Sequence, residues 1–151
     1  MTTHDATVSW CVTSGDFARG SYNRAHQWEF DGGATCLAAA SPHVVPPPMS
    51  DPSAIDPEEA FVAAIASCHM LWFLDIARRA GYVAATYRDH AKGQMTANEA
   101  GKLWLSRVDL RPRITWTGEG PAQQALRALH HEAHENCYIA NSIRTVIEVH
   151  L

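Results

Sequence analysis

Hydrophobic and polar positions alternate at the start of the chain. Between residues 6 and 12, Ala6, Val8, Trp10 and Val12 share one face, the period of a half-buried strand. "SGD" then reads as a turn. The run "YNRAHQWEF" alternates again, placing Tyr22, Arg24, His26, Trp28 and Phe30 on one face. "DGG" is a hairpin signal, and a third strand follows through Cys36. The pattern predicts a three-stranded antiparallel meander.

The period changes at "DPEEAF". Asp56 is a good N-cap, Pro57 suits the first helical position, and Glu59 completes a capping box. Glu58 is left without a capping duty. At 100° per residue, Glu58, Phe61, Ile65, Cys68, Trp72 and Ile76 fall within one stripe. Met70, Leu71 and Leu74 lie on the opposite side, so the helix is apolar nearly all round until Asp75. Such a helix is expected to be covered on every side, centrally in the domain or at a subunit interface. "RRAG" ends it with cations and a glycine.

Beyond an ambiguous strand from Tyr82, "KLWLSRVDLRPRITW" alternates throughout. Trp104, Val108, Leu110, Ile114 and Trp116 are expected to point inward, and Arg107, Asp109, Arg111 and Arg113 outward. Pro112 suggests a bulge or an edge. A second helix is predicted from about Pro121 to Asn136, and "SIRTVIEVHL" as a last strand with Ile143, Ile147 and Val149 inside. The order βββαββαβ, mostly antiparallel, is an α+β fold.

Composition narrows the class. The chain of 151 residues is 46% hydrophobic and 19% charged, the balance of a soluble globular protein, and its length suits a single domain, 1–151. A net charge of −4 offers no electrostatic reason to expect nucleic acid or an anionic membrane as partner. "MTTHDATVSW" has neither a basic nor an apolar leader region. The most apolar run, Ala60 to Leu74, is too short to span a bilayer. A cytoplasmic protein is expected, with its four cysteines reduced. The proline-rich stretch "ASPHVVPPPMSDPSAIDP" is a loop of a length that usually carries function or motion.

Single residues bear the chemistry. Arg24 shares a strand face with Trp28 and Phe30, so its guanidinium must snorkel at a sheet edge or find a partner or a task. Arg19, beside Gly20 near a turn, reads as solvated. Cys11 and Cys36 read as structural filler. Cys68 is mid-helix, far from a helix N-terminus, so a thiolate there needs a cation. Cys137 follows the second helix in "HENCYIANS", where a mobile junction would suit a resolving thiol.

"DPEEAFVAAIASCHMLWFL", followed about seventy residues later by "HENCYIANSIRTVIEV", resembles the OsmC and organic-hydroperoxide-resistance (Ohr) family, as do "YNRAHQWEFDGG" and the order of elements. The resemblance implies a cytoplasmic homodimer with intertwined sheets that reduces organic hydroperoxides in preference to hydrogen peroxide, without a cofactor or metal. It implies a peroxidatic Cys68 and a resolving Cys137, re-reduced by an external dithiol. The family's helix-start glutamate maps onto Glu58, and its N-terminal arginine onto Arg24, with Arg19 the weaker choice. Tyr138 stands where better-studied members usually carry proline, and His26, His69 and the proline-rich loop mark a divergent branch. In this chemistry a thiolate attacks the terminal peroxide oxygen, giving a sulfenic acid and an alcohol. The competing expectation is a small-molecule or metal-binding protein on the same fold without turnover. For metal, "HHEAHENC" offers His130, His134 and Cys137 at helical spacing, with His69 beside Cys68.

Overall fold

The computed structural model describes residues 1–151. The chain forms two compact units, Met1–Ala60 and Phe61–Leu151, and the division falls inside the first helix.

In chain order the first unit holds β1 (Ala6–Ser9), β2 (Gly15–Asp16), β3 (Ser21–Tyr22), β4 (His26–Phe30) and β5 (Thr35–Ala38). The predicted meander is the antiparallel sheet β1-β4-β5, with Val8 opposite Trp28 and Trp28 opposite Cys36. The second alternating run is not one strand, however. It breaks at residues 23–25, and its first residue, Tyr22, pairs with β2 together with Ser21 in a separate small hairpin. Asn23 causes the break. Its side-chain oxygen accepts the N–H groups of Thr13 and Ser14 at 2.9 and 3.3 Å, and its amide nitrogen donates to the carbonyls of Cys11 and Ala25. A side chain that satisfies the backbone so thoroughly competes with the strand ladder and wins. Gly15 turns the chain at φ +85°, where a side chain would run into the Ser21 carbonyl. The proline-rich loop returns beside β5, with Ile55 N–H donating to the Leu37 carbonyl and Ala39 N–H to the Ile55 carbonyl.

Helix α1 (Pro57–Arg79) starts as its sequence dictates. Glu59 N–H donates to the Asp56 carboxylate at 2.7 Å, and Asp56 N–H to the Glu59 carboxylate at 3.2 Å. It ends in a Schellman motif around Gly81 at φ +87°, with Tyr82 N–H on the Ala77 carbonyl and Gly81 N–H on the Arg78 carbonyl.

The second unit continues with β6 (Ala84–Asp89), β7 (Lys92–Ala97), β8 (Leu103–Leu110), β9 (Pro112–Trp116), α2 (Gln123–Asn136) and β10 (Val146–Val149). Four strands therefore separate the helices, where two were expected. The long alternating run splits at Arg111, because Pro112 has no N–H and the Arg111 N–H goes to the Asp89 carboxylate. As a result β8 joins the sheet β10-β8-β7, parallel to β10, while β9 pairs with β6. The fold class is α+β, as predicted, with two helices and mostly antiparallel sheets.

Within this unit α1 serves two clusters. Ile65 packs with Val108 and Leu110 of β8, and Phe73, Ile76 and Ala77 pack with Leu129 and Ala133 of α2. Full burial of Ile65 or Phe73 contributes about 1.5–3 kcal/mol each. Asp109 lies on the face of β8 opposite Val108 and Leu110, as alternation predicts, but it is not solvated: Arg107 at 2.7 Å and His150 at 2.9 Å cover and neutralise it, leaving it 4% exposed. Against expectation, α1 is not covered all round within one chain, since Leu71 is 62% exposed and Ala63, Ala64 and Ser67 are open beside it. At 23 residues, with a mean hydropathy of 1.7 over its most apolar stretch, α1 outruns the short apolar segment expected and has the length to cross a bilayer. Ile65, His69 and Phe73, all sealed, make it the core helix of this unit.

Candidate dithiol site

Cys68 stands in the middle of α1, half-buried, and Cys137 caps the C-terminus of α2, 1% exposed. The structure brings these two thiols close enough for Cys68 to act on the titration of Cys137. Local geometry explains the placing of Cys137. The chain leaves α2 there in an extended conformation and re-forms a short 3₁₀ turn over Ala140–Ser142. Ala140 N–H donates to the Cys137 sulfur at 3.4 Å. The Asn141 side chain ties down the carbonyls of Glu135 and Cys137, and the Ser142 hydroxyl donates to the Tyr138 carbonyl. The junction expected to be mobile is thus tied by four hydrogen bonds.

The two thiols differ. Burial, and then the neighbouring Cys68 thiol, push the Cys137 thiol up to about 11, against the partial relief of the Ala140 and Ile139 N–H groups. Cys137 therefore keeps its proton at neutral pH, and Cys68 is the more accessible sulfur. Trp72, one turn beyond Cys68, meets Tyr138 edge-on at 5.5 Å and 80°. Tyr138 is otherwise open, 72% exposed.

The remaining site candidates belong to the first unit. Glu58 is half-buried and takes no part in the capping box, which Glu59 completes. Arg24 is half-buried, in the break between β3 and β4. Its Nη1 donates to the Tyr22 carbonyl at 2.8 Å, its Nη2 to the Gly20 carbonyl at 3.4 Å, and its Cζ sits 3.4 Å above the centre of the Tyr22 ring. Within its unit the guanidinium has found carbonyls and an aromatic face rather than a carboxylate. Arg19 is exposed and pairs with Asp16 at 3.4 Å. Cys11 and Cys36 are free thiols on the wall of a cavity of about 570 Å³ that His26 and Asn23 also line.

One arrangement went unread in the sequence. His69 Nε2 and His130 Nδ1 lie 2.9 Å apart, with the rings within 2° of parallel and both residues at most 2% exposed. Phe73 stacks on His130 at 4.1 Å. Burial first, and then the charge of His134, bring His69 down to about 4; burial and then His69 bring His130 to about 3. Both rings are neutral at pH 7, and one N–H is shared between them. The signal was the i, i+4 spacing of His69 and Phe73, which flank the stripe that holds Ile65, Cys68 and Ile76.

This pairing also disperses the expected metal ligands. Cys137 is turned to Cys68, and His69 and His130 spend a nitrogen on each other. The ligating side chains that do converge are Asp109, Glu148 and His150, and Arg107 already bridges both carboxylates at 2.7 and 2.8 Å.

Residues 50–151 match the family of OsmC-like proteins. Comparison with curated proteins found no match. Among solved structures, an OsmC-like protein of unknown function from Vibrio cholerae is 49% identical, with a TM-score of 0.96 over 99% of both chains. An organic hydroperoxide resistance protein from Elizabethkingia anophelis superposes with a TM-score of 0.72 at 20% identity, over 99% of this chain and 93% of its own. One from Bacillus subtilis gives 0.67 at 16% identity, over 98% and 95%. The fold and the length of the family match together place this chain in the OsmC/Ohr family.

Proposed function

We propose that the protein is a thiol-dependent peroxidase that reduces organic hydroperoxides. The observation carrying this reading is the closeness of a half-buried thiol on α1 to a buried, protonated one at the end of α2. Burial holds the proton on Cys137, and access favours Cys68 as the sulfur that reacts. The Cys68 thiolate attacks the terminal oxygen of ROOH; the O–O bond breaks, the sulfur becomes a sulfenic acid, and ROH leaves after taking a proton. The Cys137 sulfur then attacks Cys68, water departs, and a Cys68–Cys137 disulfide remains. An external dithiol supplies the two electrons that reopen it. Arg24 is assigned to stabilise the thiolate and orient the peroxide, and Glu58 to hold the guanidinium. Trp72 and Tyr138 supply an apolar surround suited to an organic substituent.

The protein is further proposed to act as a cytoplasmic homodimer. A stripe of α1 that includes Leu71, and Val8, Phe17 and Leu37 in the first unit, are apolar and open in one chain. Sedimentation equilibrium at micromolar concentration is expected to give a dimer; a stable monomer would count against it.

One equivalent of an organic hydroperoxide, followed by peptide mapping, tests the chemistry. The expected product is a Cys68–Cys137 crosslink with Cys11 and Cys36 still reduced. An intact Cys68 thiol under that dose would show that it is core filler.

A further inference from the structure

We infer that His26 is the residue that positions Arg24 for the thiol chemistry, an inference resting on the role assigned to Arg24 above. Arg24 lies in the gap between β3 and β4, so no neighbouring strand holds its peptide groups. Its N–H finds the Met49 carbonyl at 2.7 Å, on the proline-rich loop. Its carbonyl is met by His26, whose Nδ1 lies 2.9 Å away.

The direction of that hydrogen bond is decided by a third residue. Trp28 Nε1 lies 2.9 Å from His26 Nε2. An indole N–H can only donate, so His26 Nε2 must be the bare, accepting nitrogen. A neutral imidazole then carries its proton on Nδ1, which donates to the Arg24 carbonyl. Trp28 selects the tautomer, His26 anchors the Arg24 backbone, and the guanidinium is delivered in a defined orientation over Tyr22. Of its five N–H groups, the carbonyls of Tyr22 and Gly20 engage two, leaving the others for a carboxylate and a peroxide. The sheet register supports the chain, since His26 lies opposite Ala38 and Trp28 opposite Cys36 in the β4–β5 ladder. Alternation predicted that Arg24, His26 and Trp28 share a face; the structure joins the three by hydrogen bonds running along the chain.

The test measures the pH profile of Cys68 alkylation alongside peroxide reduction, in Cys11→Ser/Cys36→Ser protein. His26→Phe keeps the ring's bulk and removes both nitrogens. It should slow peroxide reduction roughly tenfold, the kinetic worth of one lost positioning hydrogen bond, and raise the Cys68 thiol pKa. His26→Asn, which can place an N–H near the Nδ1 position, should recover most of the rate. In an Arg24→Ala background His26→Phe should have no further effect, because a residue acting only through Arg24 has nothing left to act on. Equal slowing in both backgrounds, or an unchanged Cys68 profile in folded His26→Phe protein, overturns the inference while leaving the role of Arg24 intact. Wild-type rate and thiol pKa in Arg24→Ala overturn that role and the inference with it. Continued peroxide reduction by Cys68→Ser overturns the peroxidase reading itself.

Discussion

Cys68 and His69 are neighbours on α1, and each meets a partner from α2. Cys68 reaches Cys137 at the helix's C-cap, and His69 reaches His130 about two turns before it. One residue is a rotation of about 100°, and that rotation separates two kinds of chemistry. The thiol pair is uneven, with one sulfur half-open and the other sealed, whereas the imidazole pair is sealed on both sides. Groups able to do acid–base or redox work are present in both. Access distinguishes them: the dithiol can receive a reagent, and the dihistidine can only hold two helices in register.

The strongest test of this contrast is Cys68→Ser, which should bring peroxide consumption down to the uncatalysed level, while His69→Gln retains it in whatever fraction stays folded. A folded His69 variant without activity would break the comparison, because it would give the sealed pair a part in the chemistry.

Next in size is Cys137→Ser. The first oxidation should persist, since Cys68 remains, but catalytic turnover should fail. A dimedone probe should then trap the sulfenic acid, and excess peroxide should overoxidise it. Loss of the first oxidation step would mean that the buried thiol also activates its partner.

Smaller, and on stability rather than activity, is His130→Leu. It strands His69 Nε2 in an apolar interior at a cost of about 1–3 kcal/mol, which thermal melting can read. The same pair predicts an acid limit. Both imidazoles titrate lower in the folded chain than the usual 6.5, so the unfolded chain binds protons first. Their contribution should be complete above about 6.5 and decline as pH falls toward 4 and then 3. Urea melts at pH 7, 5.5 and 4.5 should show that decline in the wild type, and a shallower one in a folded His69→Gln/His130→Leu protein.

The least effect is expected from Arg19→Ala, whose guanidinium is exposed and paired only with Asp16. Arg24→Ala should instead slow peroxide reduction and raise the Cys68 pKa. Equal consequences from the two substitutions would remove the reason for preferring Arg24.

Short-range patterns in the chain announced the elements that depend on neighbours in sequence. The start of α1 follows from Asp56 and Glu59 three residues apart, and its end from Gly81, because capping bonds close within one turn. The meander followed from alternation and a hairpin glycine pair, and the two cysteine segments were legible as motifs. Each of these is local or repeats a family's pattern.

Other features depended on partners that local patterning cannot name. Asn23 breaks a strand by binding residues 11 to 14, so an alternating run became two pieces. Asp109 is sealed on its outward face because His150, 41 positions later, and Arg107 meet it there. The dihistidine joins residues 61 positions apart, and nothing near His69 names His130. Periodicity reports which face of an element is apolar; it cannot report which distant polar group waits on that face. A buried polar residue is stable only when such a partner is present. Whether His69 was a ligand, a catalyst or half of a sealed pair was therefore settled by how α2 packs on α1.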